Sequence, residues 1–316
     1  MTQPNGGPRG SLPGGLSAFP LTPVTDAGID ETAFARLVAR AAAAGVDSIT
    51  VLGSTGSYAY LTADERARAV EIAVAEAGEV PVIAGIGATR TREVRRHAAD
   101  AQTAGAAGLL LAPVSYQPLT DDEVHTLFSD VDAATSVPIV VYDNPGTTHV
   151  TFDDDLHARI ARLPHIASIK IPPVTGGPDA VRRRVEALRA RIPSDVTIGI
   201  SGDHVAADAL LAGCDIWYSV LGGTLPEACR DIVHAAAAGD AARTAQLSER
   251  LAPLFDLFSA HGSYRVVSAL AEELGLVGHP NLPRPVLGLD EAARDRLRAA
   301  VDTLAARGVP GLAPLR

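Results

Sequence analysis

The chain has 316 residues, 47% hydrophobic and 20% charged, which is enough for one large packed domain plus an appendage and too apolar for disorder. Its formal net charge of −10 argues against a nucleic-acid surface, and no apolar run approaches the length that spans a bilayer. Cys214 and Cys229 lie in apolar segments and suit a reducing compartment better than a disulfide framework, so a soluble, cytoplasmic protein is expected.

Residues 1–16 are rich in Gly and Pro and lack the apolar centre of a signal peptide, so they read as a flexible leader. A first strand is expected at Ser17–Thr22 and a helix at Glu31–Ala44, then a strand at Ser48–Leu52 and a helix at Ala63–Ala77. Thr62 with Glu65 forms a capping box at the start of that helix. The beat continues with strand Pro81–Gly85 and helix Arg90–Ala104, strand Gly108–Ala112 and helix Asp121–Ala134, and strand Pro138–Tyr142 and helix Phe152–Leu163. Thr151, ahead of Asp153, Asp154 and Asp155, reads as a helix start rather than a metal site. Strand Ala167–Ile171 and helix Pro178–Ile192 follow, then strand Thr197–Ile200 and helix Val205–Ala212, and last the strand Asp215–Val220. The Arg182–Arg184 cluster fits a solvated helix face.

Strands alternating with helices are parallel, and nearly wholly apolar strands are covered on both faces. An open doubly wound sheet and a closed barrel both fit this pattern. The roughly 220 residues in eight units match a barrel, and no dinucleotide fingerprint competes. Arg90 stands where Gly85-Ile86-Gly87-Ala88-Thr89 would need a third glycine. The fold expected is therefore α/β, a (β/α)8 TIM barrel over 17–224, followed by a C-terminal helical extension over 225–316. Its helices are expected at Leu225–Ala238, Ala241–Phe258, Tyr264–Glu273 and Glu291–Arg307.

In such barrels chemistry sits at the C-terminal ends of the strands. Lys170, at the end of the sixth strand, is the only lysine among 27 basic residues. Arginine serves wherever a generic positive charge is enough, so a lone lysine suggests a task that requires losing a proton. A neutral amine attacks a ketone and forms an imine, an electron sink beside which a carbon–carbon bond forms or breaks, or water is lost. Tyr142, ending the neighbouring fifth strand, suits the accompanying proton shuttle. Gly53-Ser54-Thr55-Gly56-Ser57 after the second strand offers hydroxyls and backbone N–H groups to a carboxylate. Ser201-Gly202-Asp203 ends strand seven, and Tyr218 lies on strand eight. Each feature alone has a plainer explanation, as a core tyrosine, a simple turn or a surface lysine. Three strand ends facing one mouth favour the catalytic reading.

Taken in order, Pro20-Leu21-Thr22-Pro23, Gly53-Ser54-Thr55-Gly56, Pro81-Val82-Ile83-Ala84-Gly85, Tyr142-Asp143-Asn144-Pro145, Ser168-Ile169-Lys170 and Ser201-Gly202-Asp203 resemble the dihydrodipicolinate synthase and N-acetylneuraminate lyase family of class I aldolases, from about Leu16 to Asp290. The resemblance implies Lys170 as Schiff-base lysine, Tyr142 as proton shuttle, and Ser54 and Thr55 as binders of a 2-oxo acid carboxylate. It also implies a homotetramer, often a dimer of dimers, with no metal and no organic cofactor. The chain departs from the family pattern at several points. Ser57 replaces a usual Glu. Thr147 stands where the synthases carry an Arg for the aldehyde's carboxylate. Tyr116 is a single, displaced aromatic where they place a tyrosine pair. Ile171 follows the lysine, and Tyr218 replaces a smaller residue. The half of the site that handles pyruvate is thus kept and the half for the second substrate rebuilt, so weak or no dihydrodipicolinate synthase activity is expected. Thr147, Ser201, Gly202 and Tyr218 are the candidate contacts to substrate, with Thr148, His149, Asp203 and Tyr116 as further polar groups able to face it. A dehydratase or hydratase using the same imine, and a non-catalytic 2-oxo acid sensor, remain as alternatives.

Overall fold

The structure, a computed structural model, describes residues 10–312. Eight parallel strands close into a barrel: β1 (Gly15–Ala18), β2 (Ser48–Val51), β3 (Val82–Gly85), β4 (Gly108–Leu111), β5 (Ile139–Tyr142), β6 (Ile166–Ile171), β7 (Thr197–Ile200) and β8 (Ile216–Ser219). Strand β1 pairs with both β2 and β8, so every strand has two neighbours and no edge is left open. Most of the expected leader, 1–9, lies outside the described residues. Within them, Leu12 is buried and the first strand opens at Gly15, two residues before the expected Ser17.

Two apolar layers follow from the alternation of side chains along each strand. Inward residues such as Phe19, Ile83, Leu110, Val140, Tyr142 and Tyr218 fill the barrel. Outward ones such as Ile49, Val51, Leu109, Val141 and Ile169 meet the surrounding helices. Those helices present the matching stripe. Glu31–Ala43 buries Phe34, Leu37, Val38 and Ala41, a spacing of three and four residues on one face. The Thr62–Glu65 capping box forms as expected. At the acidic start of the helix Asp154–Ile160 the cap is Asp153, which accepts from the Leu156 N–H at 2.7 Å, so Thr151 is not the cap. A carboxylate two residues closer to the helix wins that position.

Cys214 and Cys229 are both buried as free thiols, and burial pushes the Cys214 thiol up to about 12. After the barrel come the helices Pro226–Ala237, Ala241–Arg250, Ala252–His261, Ser263–Glu273 and Glu291–Ala306. The single helix expected at Ala241–Phe258 is two. Pro253 has no N–H for the preceding turn, so the chain breaks at Leu251. Gly262, at φ +79°, separates the second of these helices from Ser263–Glu273 and turns the chain over the barrel mouth. No helix among the described residues is long and apolar enough to cross a membrane.

Candidate active site

One irregularity sets the centre of the site. Ile139 pairs with Ile166, but the register then shifts, so that Val140 pairs with Ser168 and Tyr142 with Lys170. The extra residue is Ala167, a bulge in β6. Unshifted pairing would set Ile169 against Tyr142, and a slip of one residue turns a side chain to the other face of the sheet. The bulge therefore brings Lys170 and Tyr142 side by side on the inner face.

The Lys170 side chain is 4% exposed. Its Nζ lies 3.9 Å from the centre of the Tyr142 ring, 4.8 Å from that of Phe19 and 6.0 Å from that of Tyr218. Two glycines make room for this aromatic cage. A Cβ on Gly53 would sit 2.8 Å from the Phe19 ring, and one on Gly199, the β7 register partner of Lys170, would sit 2.2 Å from Tyr218 Cε2. The cage leaves the lysine little exposed, with its amine bordering the cavity. Tyr218 donates its hydroxyl to Ser168 Oγ at 2.8 Å inside the barrel, and burial holds its pKa well above the usual range.

The Tyr142 hydroxyl joins a polar cluster. It lies 3.1 Å from Ser54 Oγ and accepts from Asn144 Nδ2 at 2.8 Å. The same amide donates to Thr147 Oγ1 at 2.7 Å. Pro145 starts a one-turn helix, Pro145–Thr148, which folds Thr147 back onto Asn144. Beside this cluster Thr55 Oγ1 and Ser201 Oγ are buried without a hydrogen-bond partner. Orphaned hydroxyls lining a cavity are ready donors for an incoming carboxylate or carbonyl.

Asp203 is committed elsewhere. Its carboxylate accepts from Trp217 Nε1 at 2.8 Å and from the Leu221 N–H at 2.9 Å, while burial raises its pKa. It ties the end of β7 to the end of β8. Ser57, in the left-handed region at φ +60°, is 2.6 Å from the Tyr264 hydroxyl and clips the β2 turn to the C-terminal helices. Lys170 with its three rings, the cluster around the Tyr142 hydroxyl, Thr55, Ser201, Asp203 and Tyr264 border one cavity of about 690 Å³ at the C-terminal end of the barrel. Among the described residues no group of three or more His, Cys, Asp or Glu is placed to hold a metal ion.

The sequence profile of the Dihydrodipicolinate synthetase family matches residues 12–304. The chain belongs to that family. It is therefore an enzyme of the class I aldolase type, a Schiff-base lyase. A 4-hydroxy-tetrahydrodipicolinate synthase of Phenylobacterium zucineum is 32% identical over 286 residues, covering 89% of this chain and 94% of its own. The crystal structure of a dihydrodipicolinate synthase from Agrobacterium tumefaciens superposes with a TM-score of 0.89 at 46% identity, over 92% of this chain and 98% of that one. A chloride-inhibited dihydrodipicolinate synthase of Acinetobacter baumannii, solved with pyruvate, gives a TM-score of 0.83 at 27% identity, over 93% of this chain and 99% of that one.

Set on this family's fold, Lys170, Tyr142, Ser54, Thr55, Thr147, Ser201, Gly202 and Tyr218 all border the one cavity. Asp203 borders it too, with both carboxylate oxygens engaged. Thr148, His149 and Tyr116 do not line it. Thr148 is buried and donates to the Asn144 carbonyl, His149 is exposed at the end of its short helix, and Tyr116 is 93% exposed. Asp143 lies behind the strand, 3.4 Å from the buried His157. Sequence reasoning assigned no role to Asn144 or Phe19, nor to the wall formed by Phe258 and Tyr264, although all four border the cavity. The even alternation along β5 and β1 was the available signal for the first two. The wall carried none, because it comes from helices more than 80 residues beyond Lys170 in the chain.

Proposed function

We propose that this protein is a pyruvate-dependent aldolase or lyase with Lys170 as its nucleophile. The observation that carries the reading is the pairing of Lys170 with Tyr142 across β5 and β6, with the amine 3.9 Å from the ring. The pyruvate carboxylate is placed against Ser54 and Thr55, whose orphaned Oγ1 supplies a donor. The lysine amine attacks the ketone carbon, and the ketone oxygen departs as water to leave a protonated imine. Tyr142 carries the protons of that step, and its hydroxyl is held for the purpose by Asn144 and Ser54. Loss of a methyl proton gives the enamine. Its terminal carbon bonds to an acceptor aldehyde, whose oxygen takes up a proton, and water then releases the product and restores the amine.

Aspartate semialdehyde is not the acceptor on this reading. Thr147 occupies the place where the synthases carry an arginine, and the cavity is bordered by no arginine among the described residues. The relatives named as synthases lend that restriction no support; it rests on the lining alone. The working assembly is taken as a homotetramer, although one solved relative at 25% identity is a monomeric variant. A monomer by sedimentation velocity would overturn that part.

The decisive test is incubation with pyruvate, reduction by borohydride and mapping of the adduct by mass spectrometry. Lys170 is the only lysine, so the sole competing amine is the N-terminus. An adduct on Lys170 is expected. Its absence with pyruvate and with larger 2-oxo acids would overturn the imine reading in favour of a binding protein.

A further inference from the structure

Pyruvate fills only a small part of a cavity of about 690 Å³, a size that in other proteins holds a drug-sized ligand. The inner end is taken up by Lys170, its three rings, Ser54 and Thr55. The outer part is walled by Tyr58, Tyr60, Phe258 and Tyr264, and Val114 and Pro173 add to the apolar lining. Several features fix this wall. Gly262 breaks the helix so that Phe258 and Tyr264, on separate helices, both reach the mouth. Phe255 backs Phe258 with ring centres 6.3 Å apart, and Ser57 holds the Tyr264 hydroxyl at 2.6 Å. Arg66 lies 5.5 Å from the centre of the Tyr58 ring, but its guanidinium donates to the carbonyls of Gly85 and Gly87 and is not offered to the cavity.

The charges bordering the cavity decide what the wall accepts. Lys170 is consumed in the imine. Asp203 has both oxygens engaged, and His204 is the remaining titratable side chain at the rim besides the tyrosines. A second carboxylate would enter an aromatic wall with no guanidinium among the described residues to meet it, and an unpaired charge there carries a large desolvation cost. A flat apolar body gains on the same wall by burial and ring contact. The unpaired Ser201 hydroxyl is free to donate to the aldehyde oxygen as it becomes an alkoxide.

We infer that the outer half of the cavity is an acceptor subsite for an uncharged aldehyde with an aromatic or comparably flat apolar body. This rests on the imine reading above and deepens it. In the forward direction the enamine carbon bonds to the aldehyde carbon and the aldehyde oxygen is protonated. Hydrolysis of the imine then yields a 4-hydroxy-2-oxo acid whose C4 carries the apolar group. In reverse, that acid is cleaved to pyruvate and the aldehyde, so no co-reactant beyond water is needed.

The test measures pyruvate consumption and product mass with three acceptors: benzaldehyde, glyceraldehyde and succinate semialdehyde. Borohydride trapping of pyruvate runs alongside. The expected result is a kcat/KM for benzaldehyde about tenfold or more above that for succinate semialdehyde, with glyceraldehyde below benzaldehyde. Phe258→Ala should raise the KM for benzaldehyde about tenfold, and Thr147→Arg should shift preference towards succinate semialdehyde. A trapped Lys170 adduct together with equal or better use of succinate semialdehyde or glyceraldehyde overturns the subsite and leaves the imine chemistry standing. Absence of any adduct overturns both. The wild-type series alone decides the matter if either variant fails to fold.

Discussion

Tyr142→Phe separates chemistry from packing at this site. The substitution keeps the ring 3.9 Å from Lys170 Nζ and removes only the hydroxyl that meets Asn144 at 2.8 Å and Ser54 at 3.1 Å. Two neutral hydrogen bonds contribute about 1 kcal/mol each, so the fold should lose roughly 2 kcal/mol and remain assembled. Losing a positioned proton shuttle is far more costly to turnover, about 10²–10⁴-fold, or roughly 3–5 kcal/mol of barrier. The clean assay is exchange of the pyruvate methyl protons with deuterated water, followed by NMR, because it reads enamine formation without any acceptor. Exchange should slow by at least about a hundredfold, with the apparent KM for pyruvate within about threefold of wild type, since Ser54 and Thr55 remain. An exchange rate within about tenfold of wild type would show that Tyr142 only packs against the lysine.

Two further consequences follow from the surroundings of the site. Gly199→Ala places a Cβ 2.2 Å from the fully buried Tyr218 ring, so that ring must move and its bond to Ser168 is strained or lost. Overpacking of this kind costs about 1–3 kcal/mol, visible as a lower denaturation midpoint, and an unchanged midpoint would refute the tight fit. His97 is buried beside Arg66, and burial first, with that guanidinium second, lowers its pKa from 6.5 to about 4. The unfolded chain therefore takes up a proton below about pH 6.5 that the folded one refuses until about pH 4, so stability falls across that window by up to about 3 kcal/mol. Replacing His97 with Gln should flatten the drop in melting temperature between pH 7 and pH 4.5. An equal drop in wild type and variant would place the acid sensitivity elsewhere.

Much of this molecule is determined locally and so can be read in one dimension. Apolar runs of four to six residues make strands, stripes such as Phe34, Leu37, Val38 and Ala41 make helix faces, and the Thr62–Glu65 box marks a helix start. Lys170 stood out by chemistry alone, as the one cation able to give up its proton among 26 arginines. The errors also have local causes: Asp153 outcompetes Thr151 as a cap, and Pro253 splits an expected helix.

What belongs to the tertiary structure is whatever depends on two distant segments meeting. The bulge at Ala167 depends on how β6 lies against β5, yet it decides whether Tyr142 faces Lys170 or Ile169. The Tyr142 hydroxyl meets Ser54 Oγ, 88 residues earlier in the chain, only because the barrel closes. The room that Gly53 and Gly199 leave for Phe19 and Tyr218 is a matter of contact across the barrel. The aromatic wall arises because Gly262 turns a helix from beyond the barrel back across its mouth. Sequence by itself determined the elements and singled out Lys170 as the candidate nucleophile, because periodicity, capping and side-chain chemistry act over a few residues. Register, cavity shape and the aromatic wall were decided by the closed barrel, because close packing fixes them only after all eight strands and the last helices are in place.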